Sequence, residues 1–277
     1  MDNDIIDRSE FDSSGNWSFS NAFHMMKLSY AVYAGTTDNI GSSEDWSITE
    51  TLVNSAGYGM KKIEAHEGIY EPNAMICWDE HNVFLIFRGT EPLSWKGATD
   101  ADLSKKPFCI GEIHRGFATS VESIWQQIME ALKEVYDAEH KLLFVGGHSL
   151  GAGMSQATTS KLEFEESINP AAIYNFGCPR AFNVDGADLY NQRLGSKTFR
   201  VVNNNDVVCN VPFENMGFSH VGQFKYLTSD GELWDDPSSW RQIVDSVLGG
   251  ARALTELNPI DSITDHLPQN YTACLKS

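Results

Sequence analysis

Ser149 stands in the run Val145-Gly146-Gly147-His148-Ser149-Leu150-Gly151-Ala152-Gly153. The spacing Gly147-x-Ser149-x-Gly151 suits a serine nucleophile. It follows the apolar run Leu142-Leu143-Phe144-Val145 and precedes a stretch that reads as helix, which puts Ser149 on a sharp strand-to-helix turn. Bulky side chains two residues to either side would collide with the neighbouring strand and helix, and glycine occupies both places. The backbone N–H of Leu150, next to the nucleophile at a helix N-terminus, is placed to meet a developing oxyanion. A serine of this kind needs a base, and the base needs an acid to orient it. Asp206 follows the apolar run Phe199-Arg200-Val201-Val202 and three asparagines, so it belongs to a polar loop at the end of a strand. Asp185 and Asp188 are the alternatives, in a stretch that reads as loop and helix. Two histidines follow Asp206. His220 lies just before the strand-like Gln223–Leu227, and His266 lies in Ile263-Thr264-Asp265-His266-Leu267-Pro268, where a loop can swing an imidazole over the sheet. By strand alternation His148 is expected to point away from Ser149 as a core hydrogen-bonding residue. His114 is read as structural.

These residues need strands and helices to hold them. Phe19–Tyr33 carries a helical stripe, and Gly35–Gly59 reads as mostly loop. Asn73–Trp78 and Val83–Phe87 read as paired strands joined by a turn, the second apolar throughout as in a strand covered on both faces. Phe117–Tyr136 repeats apolar residues at steps of three and four and is the clearest helix. The apolar runs at Leu142–Val145, Ala171–Phe176 and Phe199–Val202, with helical stretches between them, imply crossover connections and a largely parallel sheet. Gln223–Leu227 is expected as an added edge strand, and Trp240–Leu254 as a last helix.

Composition narrows the function classes. The chain has 277 residues, 42% hydrophobic and 21% charged, which is ordinary globular composition. We expect one domain over 1–277. The net charge of −18 opposes any sequence-independent hold on phosphates or anionic membranes, so no nucleic-acid partner is expected. No apolar run approaches the ~20 residues of a membrane span, so no stable membrane anchor is expected. The five cysteines show neither a disulfide framework nor zinc-ligand spacing. The acidic N-terminus does not read as a secretion signal, which leaves a cytoplasmic protein or a mature form whose signal has been removed.

The serine segment resembles the nucleophile segment of the class 3 (fungal-type) lipases. Four further blocks match in the family's order: Ile86-Phe87-Arg88-Gly89-Thr90, Ile113-His114-Arg115-Gly116-Phe117, Tyr174-Asn175-Phe176-Gly177-Cys178-Pro179-Arg180 and Phe199-Arg200-Val201-Val202-Asn203-Asn204-Asn205-Asp206. The resemblance runs from about Phe23 to His266. It implies an α/β-hydrolase fold: a central, mostly parallel sheet flanked by helices, with a short lid after the oxyanion strand. It implies a triad of Ser149, Asp206 and His266, since the family's base sits in such a late loop with an aromatic shortly after, as Tyr271 is here. His220 matches a non-catalytic family position. The implied oxyanion hole pairs Leu150 N–H with Thr90, whose N–H and hydroxyl both donate; each such donor is worth roughly 3 kcal/mol of barrier. No metal or cofactor is required.

The lid is expected at about 91–107. There Leu93, Trp95 and Leu103 are the large apolar residues facing the acyl groove, and Gly97 weakens a helix by about 1 kcal/mol. That is less apolar than an oil-seeking lid. The implied activity is hydrolysis of carboxylic esters, a triacylglycerol lipase acting on a lipid ester at an oil–water interface. The rival readings are a phospholipase A1 or a feruloyl-type esterase on the same fold, and a non-catalytic α/β-hydrolase binding module.

Overall fold

The computed structural model describes residues 6–9, 11–34, 46–65, 73–89, 104–228, 231–235 and 264–276. An eight-stranded sheet runs through the chain in the order β1-β2-β3-β6-β7-β8-β9-β10. Its strands are β1 (Gly59–Glu64), β2 (Asn73–Trp78), β3 (Asn82–Phe87), β6 (Leu142–His148), β7 (Ala172–Phe176), β8 (Thr198–Asn203), β9 (Gln223–Leu227) and β10 (Leu233–Trp234). β1, β2 and β3 pair antiparallel. From β3 through β6, β7 and β8 to β9 every pairing is parallel, and β10 closes the sheet antiparallel. A separate two-stranded ribbon joins β4 (Lys105–Pro107) to β5 (Glu112–His114).

Both faces of the sheet are covered. α3 (Arg115–Val135), α4 (Leu150–Phe164) and α5 (Val184–Arg193) lie on one side. There Phe117, Val121, Ile124, Ile128, Ala157 and Tyr190 pack on Val83, Leu85, Phe87, Val145 and Ile173. On the other side α1 (Phe19–Ala31), α2 (Trp46–Ser55) and α6 (Pro268–Leu275) set Met25, Met26, Val53, Tyr271 and Leu275 against Phe84, Ile86, Phe144, Tyr174 and Val201. Successive residues of β3 therefore enter opposite cores, the physical reason for its unbroken apolar run.

Three expectations need correction. Residues 46–55 of the stretch read as loop form α2, which buries Trp46, Thr49 and Val53 at steps of three and four among otherwise polar neighbours. β9 is not an edge strand, because the two-residue β10 pairs outside it. The far end of the segment assigned to the lid, residues 105–107, is the strand β4, held by its ladder to β5. The strand β1 had no counterpart in the sequence reading: Lys61 and Lys62 break its apolar pattern, as charges on an edge strand do. The expected helix at Trp240–Leu254 lies outside the described residues.

Candidate active site

β6 ends at His148, and α4 begins at Leu150. Ser149 alone makes the turn, with φ 60° and ψ −129°, a conformation that few non-glycine residues adopt. The crowding around it explains the flanking glycines. A Cβ on Gly147 would meet the backbone of Gly151 at 2.6 Å and the Phe87 carbonyl oxygen at 2.8 Å, and one on Gly151 would drive into that same oxygen. The Ser149 hydroxyl is turned to a histidine rather than used to cap its own helix.

That histidine is His266. Its Nε2 lies 2.8 Å from Ser149 Oγ, and its Nδ1 lies 3.0 and 2.9 Å from the two carboxylate oxygens of Asp206. All three side chains are buried. A carboxylate only accepts, so Nδ1 carries the proton and Nε2 is left to accept from Ser149. Asp206 enters from the end of β8 and His266 from the loop before α6. The backbone N–H of Val208 donates to Asp206 Oδ1 at 2.9 Å, and the Tyr271 hydroxyl donates to Oδ2 at 2.6 Å. Burial works to raise the Asp206 carboxyl, but the electrostatic attraction of His266 and the hydrogen bonds from His266, Tyr271 and Val208 outweigh it, leaving the group below its ordinary value.

The asparagine run before Asp206 ties the His266 loop down. Asn203 Nδ2 donates to the Asp265 carbonyl at 2.9 Å, while Asn204 Nδ2 and the Asn205 N–H both reach Asp265 Oδ2, at 3.1 and 3.2 Å. Asn204 sits at φ 43°, which asparagine tolerates better than most residues. Gly177, at φ +59°, passes directly beneath: a Cβ there would stand 2.8 Å from Asp206 Oδ2 and 2.9 Å from the His266 ring. Sequence reasoning noted Tyr271 as an aromatic after the histidine but missed its hydroxyl, which bridges the N–H of Asn203, 3.1 Å away, to Asp206. A hydrogen bond to a buried charge is worth about 1.5–3 kcal/mol. Tyr271→Phe is therefore expected to lower kcat roughly tenfold or more. Steady-state ester kinetics check this, and an unchanged kcat would count against a share for Tyr271 in orienting the acid.

The other candidates lie elsewhere. His220 hydrogen-bonds the Cys209 carbonyl at 2.8 Å, and burial holds its imidazole well below its usual value. His114 caps α3, accepting from the Gly116 N–H at 3.1 Å. Asp185 and Asp188 belong to α5. His148 does not simply turn away into the core: its ring packs on that of His266, centroids 4.6 Å apart. Leu150 opens α4, where the first amides have no carbonyl partner within the helix and form the positive end of its dipole. β3 delivers its end to the same place, since a Cβ on Gly89 would lie 2.8 Å from Ser149 Cβ. Thr90, Leu93, Trp95 and Leu103 lie outside the described residues. The five cysteines are free thiols. Among the described residues, no three His, Cys, Asp or Glu side chains are grouped to hold a metal ion, and no helix is long and apolar enough to cross a membrane.

A mostly parallel sheet between two helical layers, with a serine on a strained turn after a central strand, defines the α/β-hydrolase fold. Residues 84–216 match the family described as Lipase (class 3). The chain is 29% identical over 208 residues to a lipase of Rhizopus niveus, an alignment that takes in 71% of this chain. It spans about half the length of that relative (50%). It is 27% identical over 233 residues to a secreted mono- and diacylglycerol lipase of Malassezia restricta, covering 79% of this chain and 69% of the relative. Among solved structures, a mono- and diacylglycerol lipase from Aspergillus oryzae superposes with a TM-score of 0.72 at 20% identity, over 94% of this chain and 99% of that one. Lipase II from Rhizopus niveus superposes with a TM-score of 0.60 at 20% identity, over 74% and 80%. Over residues 84–216 the chain is similar to the class 3, fungal-type lipases.

Proposed function

We propose that the chain is one catalytic unit, a carboxylic ester hydrolase of the triacylglycerol lipase type, working through Ser149, His266 and Asp206. The observation that carries the reading is the unbroken contact from Ser149 Oγ to His266 Nε2 at 2.8 Å and from His266 Nδ1 to Asp206 at 2.9 Å, in a buried site. His266 takes the serine proton as Oγ attacks the ester carbonyl, and Asp206 fixes the imidazole tautomer and stabilises the imidazolium. The oxyanion forms against the Leu150 N–H and the donors of Thr90. His266 returns its proton to the departing alcohol, giving an acyl-enzyme. Water, deprotonated by the same imidazole, then releases the carboxylic acid. The chemistry draws on no metal or cofactor. The substrate is a lipid ester met at an oil–water interface, with Leu93, Trp95 and Leu103 in the lid over its acyl chain.

A second reading, preference for partial glycerides, is supported by the Malassezia relative named a mono- and diacylglycerol lipase. Turnover of tri-, di- and monoacylglycerols of one chain length separates the two. For the chemistry itself, a serine-directed phosphonate is expected to abolish nitrophenyl ester turnover at one equivalent and to leave its adduct on Ser149 by mass spectrometry. Turnover that survives the reagent, or an adduct on another residue, would overturn the assignment.

A further inference from the structure

Tyr33 follows α1, and His148 ends β6; neither has a part in the chemistry above. His148 is buried, and its Nε2 lies 2.7 Å from the backbone carbonyl oxygen of His266. A carbonyl only accepts, so Nε2 carries the proton and the lone pair of the neutral ring is at Nδ1. Nδ1 lies 3.0 Å from the Tyr33 hydroxyl, which must therefore donate to it. The same oxygen accepts the backbone N–H of Gly89 at 2.9 Å. The direction of every bond in the series is thus fixed at both ends: an N–H opens it, a carbonyl closes it, and Tyr33 and His148 pass the polarity between them. Burial, with the nearby charge of His266 second, lowers the His148 imidazole to about 3, so the ring stays uncharged where esters are assayed.

The two ends of this series are functionally distinct. Gly89 lies two residues past the end of β3 and directly before Thr90 in the chain, and its backbone lies against Ser149. The other end is the backbone of the base itself. We propose that Tyr33 and His148 are positioning residues, a hydrogen-bonded strut that sets the oxyanion strand and the base at a fixed separation across the nucleophile. The inference rests on the triad reading of Ser149, His266 and Asp206. The strut spans segments far apart in the chain, 33, 89, 148 and 266, that must meet to within a fraction of an ångström around one reacting carbon. A misplacement of about 1 Å costs on the order of 10²-fold in rate.

The test counts active sites with the phosphonate, so that rates are per functional serine and any loss of folded protein cancels. Tyr33→Phe is expected to lower kcat per site by roughly 10- to 100-fold while KM stays within about threefold, since ester binding keeps its contacts. His148→Gln, which keeps an N–H for the His266 carbonyl, is expected to lose less than His148→Leu. Tyr33→Phe combined with His148→Leu is expected to lose no more than His148→Leu alone, because both residues belong to one series. A Tyr33→Phe enzyme within about twofold of wild type per titrated site would overturn the strut, as would equal rates in the Gln and Leu variants at His148 or additive losses in the double variant. Turnover that survives Ser149→Ala would instead overturn the triad reading beneath it.

Discussion

Ester turnover by Ser149→Ala and by His266→Ala is expected to fall ~10⁴-fold or more, to near the background of the assay, with the fold intact. In the proposed mechanism Ser149 supplies the nucleophile, and His266, whose Nε2 lies 2.8 Å from Ser149 Oγ, is the base. Removing either ends proton transfer, so the two losses are expected to be similar and the double variant little worse than either single one. Asp206→Asn belongs with them. The amide would offer its NH₂ where the carboxylate now accepts from Nδ1, favouring the wrong tautomer with the proton on the nitrogen that faces Ser149. A loss of ~10⁴-fold is expected there too. His220→Ala sets the contrast: His220 is bonded to the Cys209 carbonyl, away from the serine, and its variant is expected to keep turnover within a few-fold per folded molecule. Matched kcat/KM values for the four variants decide the assignment. An active His266→Ala with an inactive His220→Ala would place the base elsewhere.

The parts of this site that were legible in the sequence are those whose physical constraint is local. A serine on a turn with φ 60°, packed against Phe87 and Gly151, admits only the smallest residues at 147 and 151, and those glycines stand within four residues of each other. Asp206 could be singled out because it follows an apolar strand after a short polar turn of asparagines. His266 was harder. A late loop that can swing an imidazole over the sheet is only a weak mark of a base, and the family resemblance adds what separates it from His220. Contacts across long separations left no local trace at all. Tyr271 reaches Asp206, Asp265 is gripped by residues 203–205, and Tyr33 meets His148, each pair joined by the closing of the sheet and not by spacing. The same reason covers the fold. β3 was evident because both of its faces are buried, whereas α2 and β1 carry polar outer faces, and only the helix or strand beneath them reveals which side turns inward.

Acidification from pH 6.5 toward pH 4 is expected to destabilise the fold by several kcal/mol, well before the carboxylates are protonated. The cause is a set of histidines buried uncharged. His24, on α1, lies beneath Phe11, Tyr58 and Phe84; its Nδ1 is 3.0 Å from the Asp7 carbonyl oxygen and its Nε2 is 2.9 Å from the Tyr58 hydroxyl. The carbonyl takes the Nδ1 proton and the hydroxyl donates to Nε2, which leaves no place for a second proton. Burial lowers this imidazole to about 4, against the partial support of the Asp7 carbonyl and the Asp79 charge. His148 is lowered to about 3, and His220 well below its usual value, both by burial first. In the unfolded chain a histidine titrates near ~6.5, so on acidification the unfolded state takes up protons first. The stability is therefore fully present above about pH 6.5. It drains as pH falls, down to about 4 for His24 and about 3 for His148. For His24 alone the gap corresponds to roughly 3 kcal/mol, a large part of the ~5–15 kcal/mol that holds a typical domain together. Asp206, lowered in the folded state, adds a loss of the same sign only further into acid. Urea unfolding at pH 7, 5.5 and 4.5 measures the slope, expected to approach two to three protons, about 1.4 kcal/mol per pH unit for each. His24→Gln, which can keep a donor and an acceptor in that pocket, should remove close to one proton from the slope. A stability that stays level from pH 7 to pH 4.5, or a slope that His24→Gln leaves untouched, would show that these rings accept protons without leaving the folded state.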